Sequence, residues 1–395
     1  MLKAAPAHER EKIALCLEYP IKLQGGVSVL CEILVRELAS TYRIVLVSDD
    51  SPEDIARSGL ASLIETHLRW SPLENSPQRA REFADQLAAT GVRLAHFHLG
   101  GTFGWGAPRL PKAPVPMVAR RGIRVVSTAH LVLEWFNGYC DAQKPFWFKL
   151  TFFPLAWLAK VYVMRRTVTE IAVSQWGRDQ MRRRYFPVSG KFTHIYHSKL
   201  SAREAPELLP EREKTILYVG HVARRKGQLV LAEAFTQIAA QFPEWKLHLA
   251  GHDAGEGVTD EIRRLAAERG LSERIVLLGQ RTDSIEMMRR ASIFVQPSFF
   301  EGLPLALQEA MLCGCACIAT DIPGNNEIVS HENNGLLVPK GGVNETAQAL
   351  SRLIRDDVLR ESLQRVARST VLEKGMSREK MVREHIAVYE RVMKS

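Results

Sequence analysis

The sequence predicts an α/β protein of two doubly wound parallel-sheet (Rossmann-like) domains facing a cleft, and three observations predict it. Short apolar runs alternate with stretches of helical period, the pattern breaks once near residues 199–213, and the same pattern then restarts. Runs that are apolar without alternation are strands buried on both faces, as in parallel sheets covered by helices. A chain of 395 residues also exceeds one ordinary core, which favours two domains.

In the first half the strand-like runs are "KIALCLEY" (12–19), "RIVLVS" (43–48), "RLAHFH" (93–98), "IRVVSTAH" (123–130), "TEIAVS" (169–174) and "KFTHIYH" (191–197). Between the first two, Val27, Leu30, Cys31, Leu34 and Leu38 repeat with a helical period. The stretch "KLSAREAPELLPERE" loses that periodicity and gains proline and charge, as a linker does. Strand-like runs resume with "TILYVG" (215–220), "KLHLAG" (246–251), "IVLLG" (275–279), "SIFVQPS" (292–298), "ACIAT" (316–320) and "GLLVP" (335–339). Helix-like segments between them include 227–242 and 346–357. In such folds ligands bind outside the carboxyl ends of the strands, which here means the cleft between the halves.

Composition bounds the function. With 46% hydrophobic and 25% charged residues the chain reads as globular. Its N-terminal stretch holds no apolar run of signal-peptide length, so a cytoplasmic location is expected. Cys313, Cys315 and Cys317 alternate without the paired spacing of a zinc site and are expected to be small buried residues. Residues 101–200 carry sixteen Lys and Arg against four Asp and Glu, although the whole chain is only +9. That asymmetry fits either an anionic partner or a solvated basic face. The segment 144–166 is aromatic-rich, with lysines at 144, 149 and 160 that argue against a membrane span. It is either a helix covering the sheet or an interfacial element with its cations near lipid head groups. No aromatic stacking module or basic recognition helix supports nucleic-acid binding.

The candidate chemistry lies at strand ends. In "FFEGLPLALQEAMLCG" Glu301 follows a strand, and "GLPL" opens a helix with Leu303, Leu307, Ala310 and Met311 inward. Free backbone amides of Gly302, Leu303, Pro304 and Leu305 at that helix start make an anion site. Glu301 and Glu309, with seven residues between them, would repel a phosphate but suit hydroxyl pairs, at about 1.5–3 kcal/mol per charge-assisted bond. A ligand carrying hydroxyls, then phosphates, then hydroxyls is a nucleotide sugar. "YVGHVARRKGQ" adds Gly220, His221, Arg224, Arg225 and Lys226 before another helix, a cation cluster suited to a diphosphate leaving group. Gly25 and Gly26 in "LQGGVSV" let backbone approach a ligand closely. Neither a dinucleotide glycine fingerprint nor a Walker loop is present.

On these motifs, most specific over 215–340, nearly the whole chain resembles glycosyltransferase family 4. The resemblance implies the GT-B fold and retaining transfer from a nucleoside-diphosphate sugar without a required metal or other cofactor. It implies an acceptor-side domain over 1–200, a linker over 201–213, a nucleotide-sugar domain over 214–375, and a helix over 376–395 packing back on the first domain. By the same pattern Glu301 contacts donor-sugar hydroxyls, Glu309 holds the ribose, Lys226 sits on the diphosphate and Gly26 lines a phosphate-side loop. His130, in "STAH", matches a histidine close to sugar and acceptor, and His98 in "FHLGG" has a weaker claim to the same place. Two departures stand out: His221 replaces the usual arginine, and "HSK" (197–199) replaces the usual Asn-Gly. The family reaction is front-side displacement, in which the leaving diphosphate helps deprotonate the acceptor. Lys226, Arg225 and the helix start at Gly302 are then the groups that neutralise it. A lipopolysaccharide, lipid-linked or other cell-envelope glycan is the expected acceptor, with peripheral contact to the inner face of the cytoplasmic membrane through residues 101–200. The rival readings are an epimerase-like sugar-nucleotide enzyme, which would turn over donor alone, and a non-catalytic membrane or glycan binder using only the basic face.

Overall fold

The computed structural model describes residues 10–23, 25–71, 76–100, 113–132, 146–201 and 211–394, and only the backbone of 146–153. Two compact units divide the chain: Met1–Lys199 with Glu379–Ser395, and Leu200–Arg378. The expected linker, 201–213, lies mostly outside the described residues.

The first unit holds seven strands: β1 (Lys12–Leu17), β2 (Arg43–Ser48), β3 (Thr66–Arg69), β4 (Leu94–Leu99), β5 (Arg124–Ala129), β6 (Thr169–Ala172) and β7 (Phe192–His194). They form one parallel sheet in the order β3-β2-β1-β4-β5-β6-β7. Strands β1, β2, β4 and β5 are buried on both faces because helices cover both. Strand β3 was not expected from the sequence. Its residues "THLR" are only partly buried at the sheet edge, so no apolar run marks them. The helix Gly26–Leu38 buries Leu30, Cys31, Leu34, Val35 and Leu38. The helix Arg378–Lys394 belongs to this unit and buries Met381, His385, Val388, Tyr389 and Val392. Tyr389 packs edge-on against Tyr42 at 5.8 Å, and its hydroxyl lies 2.6 Å from His96 Nδ1.

The second unit repeats the plan with β8 (Glu213–Val219), β9 (Lys246–Ala250), β10 (Ile275–Gly279), β11 (Ala291–Gln296), β12 (Ala316–Thr320) and β13 (Leu336–Val338). These form a parallel sheet in the order β10-β9-β8-β11-β12-β13. Its core joins Tyr218, Leu231, Phe235, Trp245, Leu247, Ile293 and Leu350. Cys313, Cys315 and Cys317 are buried, free thiols whose ionisation burial opposes.

Strand order reverses between β1 and β4 in one unit and between β8 and β11 in the other. At such a switch point the neighbouring loops part, leaving a crevice at the strands' carboxyl ends. The sheet order therefore sends the loops after β1, β4, β8 and β11 to two crevices.

One expectation is corrected in the helix Phe146–Arg166. Lys160 does not reach toward lipid: it is 1% exposed and its Nζ lies 2.6 Å from Glu170 Oε2, which also accepts from the Ser127 hydroxyl. Burying an ammonium requires such a partner. Lys144 and the Lys149 side chain lie outside the described residues.

Candidate functional site

The crevice of the second unit gathers charge around Glu301. Three donors converge on its Oε1: Lys226 Nζ at 2.7 Å, the Ser298 hydroxyl at 2.6 Å and Gln296 Nε2 at 2.8 Å. Burial by itself would raise this carboxyl's pKa. The Lys226 cation, its hydrogen bond, the Ser298 hydroxyl and the Arg225 charge outweigh burial and hold it below the usual range. Among the described residues none donates to Oε2, so an ionised, fixed acceptor oxygen remains for a ligand. Gln296 and Ser298 point the same way because they are two apart on an extended segment.

Backbone packing sets this geometry. Lys226 ends a short 3-10 turn, Arg224–Lys226, and Gly227 follows at φ +73°. A Cβ on Gly227 would lie 2.0 Å from the Pro297 carbonyl oxygen, so only glycine lets the loop after β8 touch the loop after β11. The Phe299 amide donates to the Arg225 carbonyl at 2.8 Å and fastens the same two loops. Gln228, fully buried, donates to the His221 carbonyl at 2.6 Å and holds the turn from inside.

The remaining residues of the cation loop divide. Arg224 bonds Glu261 Oε1 at 2.5 Å and is held on the outer surface. Arg225 is exposed and its guanidinium has no hydrogen-bond partner among the described residues, so it is available to an anion. Burial, then Lys226, His252 and Arg225, lower the His221 pKa, so His221 is neutral at pH 7 and offers a hydrogen bond without charge. Gly220 follows β8 directly, and the Tyr218 hydroxyl donates to the His221 carbonyl at 3.3 Å.

Gly302, Leu303 and Pro304 lead into the helix Leu305–Leu312, with Pro304 at its N-cap. Pro304 has no N–H, so the donors at this helix start are the amides of Gly302, Leu303 and Leu305. Gly324, at φ +91°, packs against the Gly302 carbonyl, where a Cβ would come within 2.8 Å. Glu309, in the second turn, is 4% exposed; it is not a solvated surface carboxylate.

In the first unit, Gly25 caps the helix Gly26–Leu38 without a side-chain bond, leaving that helix start open. The turn before it hangs on Asp50, fully buried, whose carboxylate accepts from the amides of Ile21 and Lys22 at 2.9 and 3.0 Å. His130 follows β5 and is 9% exposed; its Nε2 lies 3.2 Å from His98 Nδ1. Burial, then His98 and His385, push its pKa well below the ordinary value, so the ring is neutral. Sequence reasoning missed Asp50, Gln296, Ser298 and Gln228 because each acts by orienting another group. It also missed Gln308, 1% exposed beside Glu309, with neither amide atom partnered among the described residues.

Residues 202–370 match the family model "Glycosyl transferases group 1", and residues 24–198 match "Glycosyltransferase Family 4". Among curated relatives, an Escherichia coli UDP-Gal:alpha-D-GlcNAc-diphosphoundecaprenol alpha-1,3-galactosyltransferase is 34% identical over 143 residues, 36% of each chain. A Campylobacter jejuni N-acetylgalactosamine-N,N'-diacetylbacillosaminyl-diphospho-undecaprenol 4-alpha-N-acetylgalactosaminyltransferase is 30% identical over 190 residues, 47% of this chain and 50% of that one. The chain thus spans about half or less of the length of these relatives. Anabaena HepE in complex with UDP superposes with a TM-score of 0.74 at 15% identity, covering 96% of this chain and 100% of that one, which shows a shared GT-B fold.

Proposed function

The chain belongs to glycosyltransferase family 4, its first half matching that family's model and its second the group 1 glycosyl transferases, and we infer that it transfers a sugar from a nucleoside-diphosphate sugar to a hydroxyl of a lipid-linked or glycan acceptor. The observation that carries this reading is the Lys226–Glu301 pair, held at 2.7 Å by glycine-tight loops beside an open helix start. An anion of diphosphate type meets Lys226, Arg225 and the amides at 302, 303 and 305. Hydroxyls meet the two carboxylates, Glu301 at the sugar and Glu309 at the ribose. Uridine is the proposed base, supported by the UDP bound to Anabaena HepE and the UDP-galactose named for the Escherichia coli relative.

The reaction is proposed to retain anomeric configuration. The acceptor hydroxyl attacks on the face that the diphosphate leaves, and a phosphate oxygen takes its proton. Lys226 and Arg225 stabilise the departing charge without a metal. Acceptor-dependent release of UDP tests this against the epimerase reading. With a polyprenyl-diphosphate-linked sugar present, UDP is expected to accumulate in step with glycosylated product. Conversion of the donor sugar with no acceptor would favour the epimerase.

Peripheral membrane contact is the finer part of the proposal, and exposed apolar side chains support it. Leu155, Leu158 and Phe186 are 67%, 58% and 71% exposed. Trp157 lies between the two leucines in sequence, with its ring 6.0 Å from Phe186. Arg182 and Arg183, both exposed, precede Phe186 at the end of the helix Gln175–Arg184. Apolar groups flanked by arginines suit an anionic bilayer surface. Among the described residues no helix is long and apolar enough to cross a membrane. The protein is expected to sediment with liposomes containing anionic phospholipid, to be released by high salt, and to lose most binding in Leu155→Ser/Phe186→Ser. Equal binding to zwitterionic liposomes, or none to either, would refute this contact.

A further inference from the structure

We propose that Cys31, His98 and His130 form a binding site for a borderline-soft divalent transition metal, zinc being the best match. The ligand atoms of these three residues all lie within 4.8 Å of one another. A tetrahedral ion with Zn–S of about 2.3 Å and Zn–N of about 2.0–2.1 Å holds its ligands roughly 3.4–3.8 Å apart, so only small rotamer adjustments are needed. One thiolate with two imidazoles is a donor set that selects zinc over hard cations.

The placement favours an ion with an open coordination position. Cys31 lies on the helix that follows β1, His98 on β4 and His130 just beyond β5, so the three meet where the strand order of the first unit reverses. His130 retains 9% exposure, which gives an ion a way in. A second observation points the same way. The His197 ring lies 5.3 Å from that of His130; it is 1% exposed, and among the described residues neither of its nitrogens has a hydrogen-bond partner. A buried imidazole without a partner is costly, and this one stands next to His130 at the edge of the three-ligand group.

A thiol binds metal only as thiolate, so binding must release the Cys31 proton, and affinity should rise with pH. The consequence for catalysis rests on the family resemblance, which puts His130 close to sugar and acceptor: an occupied site withdraws that ring from the substrates, making the metal an inhibitor of transfer. Binding itself can be tested without that reading.

Co²⁺ titration of the full chain, reduced and anaerobic, is the test. One equivalent is expected to give a thiolate-to-metal charge-transfer band in the near ultraviolet together with tetrahedral d–d bands, all reversed by Zn²⁺. Cys31→Ser should lose the charge-transfer band. His98→Asn should bind more than about tenfold more weakly, and both variants should remain folded by circular dichroism without metal. Should Cys31→Ser fail to fold, Cys31→Ala provides the same reading. A wild-type titration without the band at one equivalent, or a band that survives loss of the Cys31 sulfur, would overturn the site.

Discussion

Lowering the pH from about 7.5 to about 5.5 is expected to unfold the first unit while the second stays folded. His96, His98, His130, His197 and His385 are all buried in the first unit, and for each, burial is the leading cause of a depressed pKa; that of His385 falls to about 4. In the unfolded chain each titrates near 6.5. Below that pH the unfolded state therefore binds more protons than the folded one, and stability falls as pH falls. Each of the five histidines adds to this loss in the same direction. A whole domain has only about 5–15 kcal/mol. The groups packed around these rings give little help. Tyr389 and Thr128 meet His96, and His385 donates to the Met381 carbonyl, with no carboxylate among these partners. In the second unit the depressed histidines, His221 and His248, are only partly buried. Hydrogen exchange corrected for intrinsic rates should show β4, β5 and the helix Arg378–Lys394 losing protection first. Retained protection there at pH 5, or earlier loss in the second unit, would show that the cluster finds compensation elsewhere.

Lys226→Ala is expected to lower kcat by about 10²–10³, the size of effect seen when one preorganised charge-stabilising donor is removed. It also leaves Glu301 buried beside Ser298 and Gln296 without its cation. Breaking such a pair costs about 3–5 kcal/mol, and the lower end applies because Lys226 keeps 16% exposure. Glu301→Gln in the same chain removes the orphaned charge. The double variant should therefore recover stability and stay inactive. Denaturant midpoints and steady-state rates for the wild type, both singles and the double decide it. A double variant that regains activity would make the pair a purely structural brace.

The sequence showed parts of this molecule unequally, for physical reasons. Strands such as β11 and β12 are apolar at nearly every position because both faces are covered, and such runs stand out. Strand β3 sits at an edge and did not. Glu301 and Lys226 were visible because glycine and proline mark their loops. Ser298 and Gln296 were not, since a residue that orients another carries no local sign. The helix Leu305–Leu312 is buried almost all round, Gln308 and Glu309 included, so periodicity could not tell whether Glu309 faced solvent. The histidine cluster draws on positions 96, 98, 130, 197 and 385, and only the folded sheet with the helix Arg378–Lys394 brings them together. The basic run over 101–200 misleads in one respect, because Lys160 spends its charge internally on Glu170.

The central claim is that the second unit binds a nucleoside diphosphate through Glu309, Glu301 and Lys226. Thermal unfolding of wild type and Glu309→Ala against UDP, GDP, ADP, CMP and TDP tests it most directly. UDP at about a hundredfold its Kd should stabilise the wild type by about 2.7 kcal/mol, a shift of a few degrees in Tm. The other nucleotides should shift it less, and Glu309→Ala, folded by circular dichroism, should not respond to UDP. A folded wild type that ignores all five nucleotides, or an equal UDP shift in Glu309→Ala, would contradict the account.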